Sequence, residues 1–251
     1  MGTIEDGAPM SLYRDQGVVL RTIRLGEADR IVTLMTQGHG KVRAVAKGVR
    51  KTKSRFGGRL EPTSHVALLL YQGRELDIVT QVDALDHFRV IREDLDRLTR
   101  ATTLLEAVDR LAQEREANVR LYQMLLGALR ALTARNAPLI VGAFFWKLLA
   151  SEGFHPVVDR CVRCGAHGPD TELIGFALDE GGALCRDCRR SGPSVSPDAL
   201  ALVRRVLEGD LAGALNQPVG PATWEVDQLA TRALEHHLEQ RLRSVALLDR
   251  G

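Results

Sequence analysis

No apolar run in this chain approaches the ~18–20 residues that a membrane span requires. The longest, Ala137 to Ala150, is broken by Lys147. The first residues show no charged-then-apolar leader, so a cytoplasmic location with no membrane partner is expected. Catalytic signatures are missing as well. Gly38-His39-Gly40-Lys41 has Met35 where a phosphate loop needs its first glycine, and Val42 where it needs Ser or Thr. No Gly-x-Ser-x-Gly elbow occurs, and no Gly-x-Gly-x-x-Gly turn opens a helix. Of the seven histidines, His236 and His237 are adjacent and so face different sides of a helix; one is expected half-buried and the other wet. No set of residues assembles into an active site, so the chain is not expected to be an enzyme. Aromatic residues make up only 4% of the chain, too few for a platform of stacked bases.

Cysteine is also scarce, and its placement is informative. All four fall in two matched pairs, Cys161-x2-Cys164 and Cys185-x2-Cys188, with twenty residues between the pairs. Each short pair lets one turn present two sulfurs to a single ion at roughly 2.3 Å, the arrangement of a tetrahedral zinc site. Two disulfides would require an oxidising compartment, and a redox pair would sit at the start of a helix in a βαβ unit. Four thiolates fill the coordination shell and leave no place for an activated water, so one structural Zn2+ per chain is expected. A zinc deaminase is excluded, because no His-x-Glu precedes the pairs and Leu184 stands where proline belongs. The four thiolates give the site a formal charge of −2, which Arg160, Arg163, Arg186 and Arg189 can offset.

Net charge is only +2, but it is unevenly spread. Residues 11–60 hold twelve Lys/Arg against three Asp/Glu, and residues 41–60 hold eight with no acid. Charge of one sign at this density attracts polyanions. Arg24, Lys41, Arg43, Lys47, Arg50, Lys51, Lys53, Arg55 and Arg59 are the candidate DNA-binding residues. With few aromatics, affinity is expected to come from phosphate contacts and to depend strongly on salt.

Five short strands with glycine turns are readable before residue 86: Gly17–Leu25, Arg30–Thr36, Lys41–Ala46, Val66–Tyr71 and Glu75–Val82. In the third, Lys41, Arg43 and Val45 share one face and Val42, Ala44 and Ala46 the other. This pattern predicts a small antiparallel barrel, with an OB-fold as its natural form. Helical spacing follows over Arg97–Glu114, from Asn118 to Leu132, and over Leu139–Ser151, where Phe144, Phe145 and Trp146 make an apolar central helix. After the cysteines it returns at Ser196-Pro197, over Asp210–Asn216 and over Trp224–Ser244. The expected organisation is α+β and multidomain. Residues 1–10 form an extension, 11–86 the barrel, 87–160 and 195–251 two parts of a helical domain, and 161–194 an inserted zinc ribbon.

Two stretches carry a family likeness: Leu25-Gly26-Glu27-Ala28-Asp29-Arg30-Ile31-Val32-Thr33-Leu34-Met35-Thr36, and the run from His39 through Lys51 to Ser54-Arg55-Phe56-Gly57-Gly58-Arg59-Leu60-Glu61-Pro62. They resemble the signature of the bacterial RecO family of recombination mediators. The resemblance implies an OB-fold, a helical domain and a zinc ribbon. It also implies a nucleoid-associated protein of DNA repair and recombination that binds single- and double-stranded DNA and anneals complementary strands. Its implied partners are a RecR-type protein, the acidic C-terminal tail of single-strand-binding protein and, indirectly, a RecA-type recombinase loaded onto coated strands. Family members differ in keeping the cysteines, so the metal is not expected to carry the shared activity. The alternative reading is a zinc-ribbon RNA-binding or transcription accessory protein. A metal-dependent hydrolase is denied by the full cysteine shell.

Overall fold

Alternation of branched apolar residues with polar ones builds the first half of the chain. The computed structural model describes residues 11–51, 54 and 56–248; Lys53 and Arg55, two of the nine candidate cations, lie outside the described residues. Strands β1 (Leu12–Leu25), β2 (Asp29–Thr36), β3 (Gly40–Ala46), β4 (His65–Tyr71) and β5 (Asp77–Asp86) close into a barrel of order β1-β2-β3-β5-β4. All pairings are antiparallel except β3 with β5, and this is the OB-fold. β3 alternates buried and half-buried residues along its whole length, with Val42, Ala44 and Ala46 inside. The interior is filled by Val19, Val32, Leu34, Ala44, Val66, Leu68, Leu70 and Val79, and is plugged by Phe56 and Leu60 from the 3-10 turn Gly57–Leu60.

β1 begins five residues before its sequence pattern does. The polar start Leu12–Gln16 is held by pairing with Ala67–Tyr71 of β4 rather than by any alternation of its own.

Helices α1 (Arg89–Arg92), α2 (Leu95–Leu111) and α3 (Val119–Ala134) follow. Asn118 caps α3, accepting from the N–H of Leu121 at 2.9 Å. The chain divides into two compact units, Met1–Arg130 and Ala131–Gly251. By this division α1, α2 and most of α3 group with the barrel, while the sequence reading places residues 87–160 and 195–251 in a helical domain around the 161–194 ribbon. The reason is a set of polar ties of long sequence separation. Arg92 donates to the carbonyls of Glu61 and Pro62 at 3.3 and 3.1 Å. Arg21 pairs with Asp109 at 2.6 Å. His65 meets the Tyr122 hydroxyl at 2.7 Å.

Asp77 has the most buried carboxylate of this set. Its side chain is fully buried; it accepts from Arg115 at 2.6 Å and from the Gly73 N–H at 2.9 Å, and from the Tyr13 hydroxyl. Burial first, and then this carboxylate, push the Tyr13 phenol above its ordinary range. Arg115 lies in the connection between α2 and α3, which runs against the start of β3. Its N–H donates to the Lys41 carbonyl at 3.0 Å. Gly40 is obligatory at this approach, since a Cβ there would lie 1.8 Å from the Glu116 carbonyl oxygen and the residue has φ +64°.

The second unit contains α4 (Ile140–Ser151), a hairpin of β6 (Leu173–Ala177) and β7 (Gly182–Cys185), then α5 (Pro197–Glu208), α6 (Leu211–Leu215), α7 (Pro221–Leu238) and α8 (Val245–Leu248). α4 is buried on nearly every side, Phe144, Phe145 and Trp146 included, and packs on α5 and α7. Gly142 allows the closest approach: its N–H donates to Asp227 of α7 at 2.7 Å, and a Cβ would stand 2.3 Å from that oxygen. α7 starts three residues earlier than its apolar pattern suggests, with Pro221 in the first turn. His236 and His237 are both exposed, because α7 ends at Leu238 and its last turn leaves the helix packing.

Three stability predictions rest on the ties of the barrel unit. Asp77→Ala leaves the Arg115 charge and the Tyr13 hydroxyl without their acceptor, and is expected to cost about 3–5 kcal/mol in urea unfolding. Arg21→Ala, which breaks a partly exposed pair, is expected to cost less than about 1 kcal/mol. Burial also holds the His65 imidazole below its usual pKa of 6.5. As pH falls below that value, the unfolded chain takes up a proton that the native state resists, so native stability declines. His65→Gln, which can still bond Tyr122, is expected to flatten the stability profile between pH 7 and 5 when unfolding is followed across that range.

Candidate nucleic-acid face and metal centre

The cations of the barrel fall into two groups. Lys41 and Arg43 point outward from β3, but acids of the following helical segment meet them. The Lys41 ammonium donates to the Asp109 carbonyl at 2.7 Å and lies 3.8 Å from its carboxylate, with the side chain 14% exposed. Arg43 stands 3.8 Å from Glu114. Arg59 is half-buried and donates to the Phe56 carbonyl at 3.2 Å. Lys41 thus sits in the junction between barrel and helix rather than on an open face.

The second group gathers at the turn between β1 and β2. Arg24, Lys47, Arg50 and Lys51 are exposed, and none is in an ion pair among the described residues. Backbone geometry brings them together. Gly48 donates its N–H to Asp29 at 2.7 Å, Arg50 its N–H to the Ala28 carbonyl at 3.0 Å, and the Arg50 guanidinium reaches the Glu27 carbonyl at 2.8 Å. Val49 packs against the barrel core. The loop after β3 is thereby stitched to the β1–β2 turn at one end and anchored by Phe56 and Leu60 at the other. Since Arg50 spends its hydrogen bonds on carbonyls, its positive charge remains uncompensated. A concentration of unpaired cations on one rim is what a phosphate backbone requires.

The four cysteines converge at the other site. Their sulfurs all lie within 4.8 Å of one another, and Cys164 and Cys185 are 3.8 Å apart. A tetrahedron with metal–sulfur bonds of about 2.3 Å has edges of about 3.8 Å, so the donor set fits a single tetrahedral ion. Cys161 and Cys185 are buried, Cys188 is half-buried and Cys164 exposed. Cys161 and Cys185 form the ribbon's own core with Ala177 and Leu184, and Cys188, Val162, Ala166 and Leu173 pack against it. Without a cation, four thiols this close cannot all ionise, and the thiols separate accordingly. Burial raises the Cys161 pKa, but N–H groups of Cys185, Cys164 and Arg163 outweigh it and bring the thiol down to about 6. Cys188, hydrogen-bonded to Cys164 and Cys185, is pushed up to about 12. A divalent cation in the centre would ionise the whole set.

Three of the four arginines expected to offset this site are paired with carboxylates. Arg160 pairs with Asp159 at 3.7 Å, Arg163 with Glu180 at 2.7 Å and Arg186 with Glu172 at 2.5 Å. The offset expected of these three is therefore spent on carboxylates, whereas Arg189, half-buried against Gly175, has no ion pair among the described residues. Arg163 has a further bond that its sequence position does not announce. It stands between Cys161 and Cys164, yet donates to the Cys188 carbonyl at 2.9 Å and so ties the two cysteine turns together. Phe176 fixes the ribbon to α4, with its ring 6.0 Å from that of Trp146.

Known proteins are similar to this chain over nearly all of its length. The family model for the recombination protein O N terminal domain matches residues 10–88, and that for the C terminal domain residues 92–246. The DNA repair protein RecO of Frankia casuarinae is 45% identical over 247 residues, covering 96% of this chain and 100% of the relative. The DNA repair protein RecO of Nocardioides sp. is 44% identical over 244 residues, covering 95% and 100%, and that of Thermobifida fusca is 43% identical over 247 residues, covering 96% and 100%. With both domains matched in order by their family models, this chain belongs to the RecO family of DNA repair proteins.

Proposed function

We propose that this protein is a non-enzymatic recombination mediator that binds single- and double-stranded DNA through the rim formed by Arg24, Lys47, Arg50 and Lys51, with Lys53 and Arg55 of the same basic run as further candidates by sequence alone. The single observation that carries the reading is the uncompensated charge of that rim, drawn together by the bonds from Gly48 and Arg50 to the β1–β2 turn. Two strands repel through their phosphates. A rim that neutralises part of that charge raises the local concentration of both and favours annealing, with no covalent step. A RecR-type protein, the single-strand-binding protein tail and a RecA-type recombinase are partners that membership of the family supports. A place beside the nucleoid follows from the same reading.

Cys161, Cys164, Cys185 and Cys188 would hold one structural zinc ion, supported by the all-sulfur donor set and its spacing. The ion serves folding, since the ribbon has almost no other core. Arg163 would act on the ligands from outside the coordination shell.

The deciding experiment measures binding to single- and double-stranded oligonucleotides by fluorescence anisotropy across a salt series, with annealing of complementary strands assayed in parallel. The four cations of the rim, with up to two more from the same basic run of the sequence, predict a slope of log K against log salt of roughly −3 to −5. Arg50→Ala with Lys51→Ala should flatten the slope by about two and slow annealing. Lys41→Ala, by contrast, should leave the slope alone and lower the unfolding midpoint. Salt-independent binding by the wild type would remove the reading.

The metal is tested separately. Purified protein is expected to contain one zinc per chain by elemental mass spectrometry, and Cys185→Ser to lose it while the barrel stays folded. Arg163→Gln should keep the metal but weaken its retention against a chromophoric chelator by about tenfold or more.

A further inference from the structure

The four sulfurs of the ribbon lie together but are not equally open to solvent. Cys161 and Cys185 are 1% and 7% exposed, and Cys188 is half-buried; Cys164 alone is exposed. The chain around Cys164 leaves it uncovered. Residues 163–165 and 167–170 are themselves exposed, and a Cβ at Gly165 or Gly168 would meet nothing within 4 Å. A small oxidant arriving from solvent therefore reaches one sulfur of the four first.

That sulfur has a sheltered neighbour. Cys185 Sγ stands 3.8 Å from Cys164 Sγ and belongs to the other cysteine turn, as the last residue of β7 opposite Leu173 of β6. A disulfide needs the two sulfurs at about 2.05 Å, an approach of about 1.8 Å. Cys185 is packed in the ribbon core, so the movement falls to the exposed Cys164 side chain. An exposed sulfur beside a second, buried one is the arrangement of a reactive cysteine and its resolving partner. Charge narrows the oxidant. Four thiolates around a divalent ion carry a formal −2 and repel anionic oxidants, whereas hydrogen peroxide is small and neutral.

We propose that Cys164 is a site of oxidation by hydrogen peroxide, and that Cys185 resolves it as a disulfide. Cys164 Sγ takes one peroxide oxygen as the O–O bond breaks, giving a sulfenic acid and one water. Cys185 Sγ then attacks the Cys164 sulfur, the S–O bond breaks and a second water leaves. One peroxide is reduced to two waters while two thiols are oxidised to one disulfide. The two hydrogens come from the thiols or, for a coordinated pair, from solvent. Cys161 and Cys188 cannot complete a tetrahedron alone, so the ion is released. The new bond then ties the two cysteine turns in its place, beside the bond from Arg163 to the Cys188 carbonyl. Only the release of the ion rests on the metal reading above.

Trypsin gives a direct readout, because it cuts after Arg163 and Arg186 and leaves Cys164 and Cys185 on one peptide, with Cys161 and Cys188 on two others. Purified protein is treated with peroxide equimolar to the chain, its free thiols are alkylated, and unreduced peptides are weighed while a chromophoric chelator follows zinc. Peptide 164–186 should be lighter by two hydrogens and unalkylated. Zinc should leave in step with it, and dithiothreitol should reverse both changes. Dimedone, which traps sulfenic acids, should label Cys164 before any other cysteine, and Cys185→Ser should raise that adduct about tenfold. A bridge joining peptide 164–186 to either of the others would overturn the assignment. So would Cys164 ending as the irreversible sulfinic acid, an adduct spread evenly over the cysteines of the wild type, or a bridge formed with zinc retained. Protein that is purified without zinc would remove the metal reading instead, and the peptide map would still decide the pair.

Discussion

One buried negative charge organises the first half of this molecule. Asp77 opens β5, the strand that closes the barrel by its parallel pairing with β3, and its carboxylate has no contact with water. A carboxylate in that position is tolerable only if donors surround it. Its donors come from three separate places: Tyr13 on β1, Gly73 in the β4–β5 turn and Arg115 beyond α2. Barrel closure and the docking of the helical segment therefore share one electrostatic requirement. The nearby ties of Lys41 and Arg21 to Asp109 add to the same seam, and together they make the barrel with its helices a single unit of folding.

That seam also decides which cations remain for DNA. A basic block read as one patch is divided by the fold into residues that hold the protein together and residues whose charge is free. Lys41 belongs to the first set, and Arg50 to the second, even though both are heavily hydrogen-bonded. The difference lies in the acceptor: Lys41 meets a carboxylate as well as a carbonyl, Arg50 only carbonyls. The ribbon repeats the division on a smaller scale. Arg186 and Arg163 are matched to Glu172 and Glu180, which leaves the sulfur cluster to be balanced by any ion that it holds.

The parts legible in the sequence were those governed by local rules. Cysteine spacing identified all four members of the sulfur cluster, and period-two alternation gave the inner and outer faces of β3 correctly. Ser196 and Asn118 marked helix starts as caps do. The sequence could not show which charges find partners, because those partners lie far away: Asp109 is 68 residues from Lys41, and Arg115 is 38 from Asp77. The loop after β3 is fixed from Lys47 to Lys51 by backbone bonds and by Val49. No composition rule reveals such stitching.

The distance between Asp77 and Arg115 has a consequence for the order of events at the ribosome. All five strands have been synthesised by residue 86, but the guanidinium that neutralises Asp77 is encoded later. At about 5–20 residues per second, the stretch from the end of β5 at Asp86 to Arg115 takes on the order of 1–6 s. During that interval a closed barrel would enclose an ion with no counterion. Closure is therefore disfavoured until the first helices have emerged, and the nascent strands remain open while the rest of their unit is being made.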